Sequence, residues 1–209
     1  MPSTLDLPQL LALAATLGLA SGLRLYAVVF LTGLAGQLGW VPLPSGLQVL
    51  QSPLLLWGSA ALMALEFVAD KIPWVDSVWD AVHSFIRIPA GAALAYGVFG
   101  GGSDLQAWAV LAALAGGTLA ASAHVGKASA RAAVNHSPEP FSNWGLSLLG
   151  DLTVPGLLWL GWNHPWLALL SVLVMAMLAL ATAWLLWRFI GRLWRARRGL
   201  PDPALSVSP

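Results

Sequence analysis

The sequence predicts an all-α integral membrane protein with five to seven membrane segments, and three observations lead there. Mean hydropathy is +0.75. Ten Lys and Arg with nine Asp and Glu leave 9% of the 209 residues charged, against roughly 25% in a soluble domain, too few for a water-facing shell. Residues 7–23, 25–65, 105–126 and 152–187 carry no charge at all, and the longest of these runs exceed the ~20 residues of one crossing. A single polytopic domain over residues 1–199 follows, with the lipid bilayer as its first partner. The tail at 200–209 is rich in proline and poor in apolar residues, which predicts disorder.

Each element can be justified in order. Leu7 to about Gly39 is too long for one straight crossing and contains Ser21, Gly22 and Arg24. It is either one tilted helix or two pieces broken near Ser21-Gly22. Residues 40–52 read as a Pro- and Gly-bearing loop. Pro53, a residue favoured in first turns, opens a helix to about Ala69. Over 70–89, Val75, Val78, Val82 and Phe85 recur at helical spacing, while Asp76, Asp80, His83 and Arg87 fall on the opposite face. The expectation is an interfacial amphipathic helix with a solvated polar face, ending at Pro89. Ile88 to Gly102 is then short for a crossing. Leu105 to Val125 is a clear one, with Gly116-Gly117 for close packing within the chain or between copies in a homo-oligomer. SPEPFSN at 137–143 stops it, Trp144 to Trp162 is interrupted by Asp151 and Pro155, and Pro165 opens the last crossing, to about Ile190. Two short or Pro-broken segments in comparable places leave an internal inverted repeat open, with halves 8–102 and 105–190. TLGLASGLR (16–24) and TLAASAHVGK (118–127) are its faint sequence support.

Composition excludes several functions. Without cysteine there is no disulfide, thiolate metal site or thiol catalysis. Arg188, Arg192, Arg195, Arg197 and Arg198 crowd beside the last helix, the distribution of a cytoplasmic flank and not of a nucleic-acid partner. The tryptophans near segment ends form an aromatic belt.

Ionisable groups inside the hydrocarbon layer are unfavourable by roughly 2.5–3.5 kcal/mol each, so they face the bundle interior in pairs. Glu66 and Asp70 lie four apart on one helix, as do Lys127 and Arg131 on another. Like charges at that spacing repel, so the acidic pair is expected to face the basic pair. The cluster reads either as an ion-pair scaffold or as a polar cavity where a solute competes. Arg24 stands alone, with Asp151 as its natural partner or as a proton carrier. Glu139, between two prolines, is held in a rigid loop that either lines a cavity or lies on the surface. Asp76, Asp80 and His83 are candidate ligands for a hard divalent cation such as Mg²⁺ or Mn²⁺, set against a merely solvated helix face. His124 reads as a hydrogen-bonded helix contact.

SGLR near the N-terminus, EFVADKIPWVD at 66–76 and NHSPEPFSN at 135–143 together resemble a bacterial membrane family known only as domain of unknown function 4126. The resemblance spans about residues 10–190 and implies a small multi-pass inner-membrane protein, with no activity attached. More loosely, Glu66-Phe-Val-Ala-Asp70-Lys71 is similar to the Glu-x-Gly-Asp-Lys signature of manganese/calcium–proton exchangers, whose acidic residues bind the cation. It has one extra residue between Glu and Asp, Ala69 in place of Gly, and no second copy.

The function expected from these features is a small transporter or channel for an ion, a cation by preference, or for a small charged solute. Its site would draw on Glu66, Asp70, Lys71, Lys127, Arg131, Arg24, Asp151 and Glu139. One alternative is a Mg²⁺-dependent membrane enzyme on a lipid or isoprenoid phosphate, with Asp76 and Asp80 on the metal and Arg87, Lys127 and Arg131 on phosphate. The other is a structural or assembly protein. Beyond a divalent cation no cofactor is implied.

Overall fold

A computed structural model describes residues 5–72, 75–100, 105–134 and 140–197. The expected tail at 200–209 and Glu139 lie outside the described residues, as does the side chain of Asp76. The described residues form helices joined by short turns and loops: α1 (Leu7–Gln37), a 3₁₀ helix (Ser45–Gln51), α2 (Pro53–Ala69), α3 (Val75–Phe99), α4 (Gln106–Val134), α5 (Pro140–Asn163) and α6 (Pro165–Arg197).

Asp6 starts α1 through a reciprocal cap. Its carboxylate accepts from the Gln9 backbone N–H at 2.8 Å, and the Gln9 side chain accepts from the Asp6 N–H at 3.0 Å, satisfying two donors that a helix start leaves bare. The helix breaks at Arg24, whose φ of −149° and ψ of 85° are not helical. Of the two readings of this stretch, the structure contains two pieces, with the break just beyond Ser21-Gly22. Packing shows which way the second piece goes. Gly91 of α3 abuts Gly18, Ser21 and Ala120, while Gly116 touches both Gly18 and Ala95 and Gly22 touches Ala120, so α3 runs antiparallel to the first piece. Further along α3, Gly97 packs on Gly46 and Leu47, while Gly33 packs on Leu50. A straight α1 would hold Gly33 and Gly97 roughly 30 Å apart at 1.5 Å per residue. The four residues from Gly46 to Leu50 bridge only about 8 Å. The second piece therefore folds back from Arg24.

The remaining contacts give alternating directions. Asp70 meets Arg24 while Leu56 meets Gly33, so α2 returns along the second piece. Gly116 packs on Ala95 and Ala120 on Gly91, making α4 antiparallel to α3. Gly150 approaches Arg24 and Gly161 approaches Thr16, so α5 opposes the first piece. After His164, α6 begins at once. Gly18 against Gly116 and Gly22 against Ala120 show α1 and α4 running the same way. The two similar stretches, 16–24 and 118–127, thus lie side by side in one direction, whereas an inverted relation would set them opposed.

Neither internal proline ends its helix. α3 continues through Pro89 and α5 through Pro155, so the segments expected to be short or broken are parts of helices of 25 and 24 residues. Pro89 leaves a gap in the backbone ladder four residues back, and joining its flanks gives α3 crossing length. α3, α4 and α6 are each long and apolar enough to cross a membrane, α1 reaches that length only when both pieces are counted across its break, and the 3₁₀ helix with α2, bent by 69°, supplies a further candidate.

The outer surface identifies the solvent. On α6, Leu170, Leu173, Met177, Leu180 and Leu185 are all more than half exposed, an apolar area suited to lipid. On α3, Phe85 is 85% and Val78 65% exposed, while Arg87 is 0% and Asp80 5%. The polar face expected to meet water points inward, and the apolar face points out. Periodicity located both faces correctly; the surrounding solvent is lipid, which reverses which one is buried.

Candidate functional site

The break in α1, the end of α2, the first turns of α3 and the second half of α4 bring charged side chains to one level of the bundle. Arg24 Nη2 pairs with Asp70 Oδ2 at 2.6 Å and lies 3.0 Å from Asp151 Oδ1. The same nitrogen reaches the Ser147 carbonyl and hydroxyl on α5, at 3.2 and 3.1 Å. Asp70 also faces Arg131 at 3.1 Å and Lys127 at 3.5 Å. Lys127 donates to Asp80 at 3.3 Å and to the Leu23 carbonyl at 3.2 Å. That last bond uses backbone beside the helix break. Arg87 closes the far side, donating to Asp80 at 2.6 Å and to Glu66 at 2.5 Å.

All five basic residues outside the C-terminal cluster belong to this network through Lys71, which stands 4.0 Å from Asp151. The expected pairing of acidic and basic pairs is present for Asp70 with Lys127 and Arg131, and Arg24 does meet Asp151. Glu66 departs from that expectation. It is completely buried and pairs with Arg87, a residue whose spacing predicts a solvated face. Isolated charges at such depth carry a large desolvation penalty, and mutual pairing offsets it. Several atoms still have no hydrogen-bond partner, among them Glu66 Oε2, Asp80 Oδ2, Arg24 Nε and Arg87 Nε.

His124 joins the network by a path the sequence did not reveal. Its Nε2 lies 2.6 Å from Ser84 Oγ, Ser84 Oγ donates to the Asp80 carbonyl at 2.8 Å, and Arg87 Nη1 stands 3.5 Å from Nδ1. With the Ser84 hydrogen used on that carbonyl, the consistent assignment is a neutral ring donating from Nε2 and facing Arg87 with its Nδ1 lone pair.

Of the residues expected to hold a metal, Asp80 and His83 have other partners, and the Asp76 side chain lies outside the described residues. Asp80 is committed to Arg87 and Lys127, two cations that oppose a third. His83 donates from Nδ1 to the Trp79 carbonyl at 2.7 Å and stacks on the Trp79 ring at 4.1 Å. Among the described residues no three His, Cys, Asp or Glu side chains gather as a metal site. Beyond the end of α2, Lys71 has its ammonium held below the ordinary lysine value, chiefly by desolvation, with Asp151 pulling the other way and Arg24 adding to the lowering.

A cavity of about 150 Å³ opens beside the network, lined by Arg24, Asp70, Lys127, Arg131 and Ser147 with apolar neighbours. Three cationic side chains and one carboxylate line it among the described residues. Gly150 lies beside Arg24, and a Cβ built there would make an ordinary contact with Arg24 Nε at 3.4 Å.

A broken helix, a buried ion network and a charged cavity inside a lipid-facing bundle define an all-α integral membrane protein with an interior polar site. The chain belongs to the family described as domain of unknown function (DUF4126), whose model matches residues 11–188. No curated protein and no solved structure matches it.

Proposed function

We propose that the protein is a small membrane transporter or channel for a charged solute, with the network around Asp70 as its site. The observation that carries this reading is the cavity beside Asp70, whose carboxylate is shared by Arg24, Lys127 and Arg131. An anion entering there competes with Asp70 for three cations. This charge balance turns the preference from the cation expected from sequence toward an anion. The helix break supports it, because irregular backbone at membrane depth persists where it is buried in protein or lines a cavity. The bacterial inner membrane is the proposed location, with the C-terminus cytoplasmic on the strength of Arg188, Arg192 and Arg195.

The test is flux into proteoliposomes with labelled inorganic cations, phosphate, and alkyl phosphates of short and long chain. Anion entry above that of empty vesicles, changed in selectivity by Asp70→Asn, is the expected result. Absence of flux for every solute, with Asp70→Asn only melting earlier, would leave the network as a scaffold and sink the proposal.

A further inference from the structure

A second cavity of about 220 Å³ lies between α1, α4 and α6. Its walls are apolar apart from Lys127 and Thr182, and include Leu19, Ala123, Leu178 and Ala179. Leu178 is 60% exposed and Thr182 is exposed as well, so this cleft gives onto the outer, lipid-facing surface. It shares Leu23, Lys127, Ala130 and Met175 with the charged cavity. The two are neighbours through one wall, one lined with cations and the other with hydrocarbon.

Lys127 is the charged residue common to both. Its two carboxylate contacts, 3.3 Å to Asp80 and 3.5 Å to Asp70, are longer than the 2.7–2.9 Å typical of an ammonium on a carboxylate, and its third oxygen is the Leu23 carbonyl at 3.2 Å. Arg24 and Arg87 hold their carboxylates far more closely, at 2.6 Å for Arg24 on Asp70 and for Arg87 on Asp80. An ammonium with rotatable donors and no short partner can turn to a new anion without breaking a strong pair.

We propose that the site takes an amphipathic anion from the bilayer, with a compact acidic head on Lys127 beside Arg24 and Arg131 and a hydrocarbon chain in the cleft between α4 and α6. The proposal rests on the solute-site reading above and names the class of solute. Charge complementarity selects the head, and the apolar, outward-facing cleft selects the chain. A free inorganic anion uses the first cavity alone.

The experiment is equilibrium binding of labelled decyl phosphate to the full chain in phosphatidylcholine nanodiscs, with empty nanodiscs as background. Saturable binding is expected, displaced by decanoate but about tenfold or more less effectively by decanol and by inorganic phosphate. Ala130→Leu places bulk at the wall shared by the two cavities and leaves every charge in place. It is expected to weaken decyl phosphate about tenfold or more, with the melting temperature of the unliganded protein as the check on folding. Lys127→Gln should weaken the phosphate and carboxylate amphiphiles and leave decanol unchanged. Equal affinity for inorganic phosphate, with Ala130→Leu binding like the parent, would overturn the amphiphile while keeping an anion site. Unsaturable uptake matching empty nanodiscs overturns it too, and if inorganic phosphate also fails to bind, the anion-site reading falls with it.

Discussion

The same three helices, α1, α3 and α4, meet in two unlike ways a few residues apart. Around Gly18, Gly22, Gly91, Gly116 and Ala120 they touch through backbone, with no room for larger side chains. One or two turns further on they are held apart by long charged side chains, Arg24, Arg87 and Lys127, on shared carboxylates. The seam draws its stability from dispersion across close backbones, since lipid supplies no hydrophobic drive between helices. The ion network draws its stability from pairing, and each member is harmful without its partner. The seam thus fixes where the helices cross, and the network leaves space beside that fixed crossing for a cavity. Gly117 belongs to the seam as well, packing on Ala92 of the same chain.

Breaking the network from one side should have the largest effect. Arg87 is fully buried and serves both Glu66 and Asp80. Arg87→Met is expected to destabilise by about 3–5 kcal/mol, because two carboxylates lose their shared cation. Combining it with Glu66→Met should recover a substantial part, since Asp80 keeps Lys127. Unfolding of the two single variants and the double variant in one detergent forms the cycle. If the double variant is no better than Arg87→Met alone, Glu66 and Arg87 do not act as a pair.

The seam predicts a smaller loss of different character. A Cβ on Gly18 would lie 2.6 Å from the Gly116 Cα, and one on Gly22 would run into the Ala120 backbone. Gly22→Ala should therefore lower stability by about 1–3 kcal/mol through overpacking, with no second substitution of charge able to rescue it. Gly58 gives the contrast, because nothing lies within 4 Å of a Cβ built there. Gly58→Ala should be neutral or stabilising by about 0.5–1 kcal/mol through helix propensity. Thermal unfolding of both variants checks the sign, and a shared sign would remove the distinction between seam and open surface.

This contrast also explains how much was legible beforehand. The partnership of Arg24 with Asp151 and the facing of Asp70 toward Lys127 and Arg131 followed from scarcity, because so few charges in so much hydrocarbon must find each other. The pairing of Arg87 with Glu66 was not legible, because the apolar neighbours of Arg87 read as the buried side of an interfacial helix, when in lipid they are the outer side. Pro89 reinforced the error by appearing to end the helix. Counting from Val75 to Phe99 gives 25 residues, a full crossing, and that length was the available signal. The fold-back at Arg24 had only Ser-Gly before it as a hint, since a reversal depends on packing between Gly33, Leu50, Gly46 and Gly97 that no local pattern encodes. His124 and Ser84 pair across two helices, 40 positions apart, beyond the reach of spacing rules.

The smallest expected effect lies at the rim of the network and tests where it stops. Lys71 is about a quarter exposed, stands 4.0 Å from Asp151, donates to the Phe67 carbonyl at 3.3 Å and lies over the Phe67 ring. An ion pair so placed contributes about 0–1 kcal/mol, so Lys71→Gln should scarcely move the melting temperature near neutral pH. Its signature is in the pH dependence. Desolvation lowers the folded-state value below the ordinary 10.5 of lysine, so between those two values the unfolded chain binds more protons than the folded one. Stability then rises with pH across that window, and Lys71→Gln should flatten the rise. Unfolding measured from neutral to mildly alkaline pH reads this directly. A slope unchanged by Lys71→Gln would mean that the alkaline response belongs to the interior of the network, and that the boundary between coupled and merely neighbouring charges lies inside Asp151.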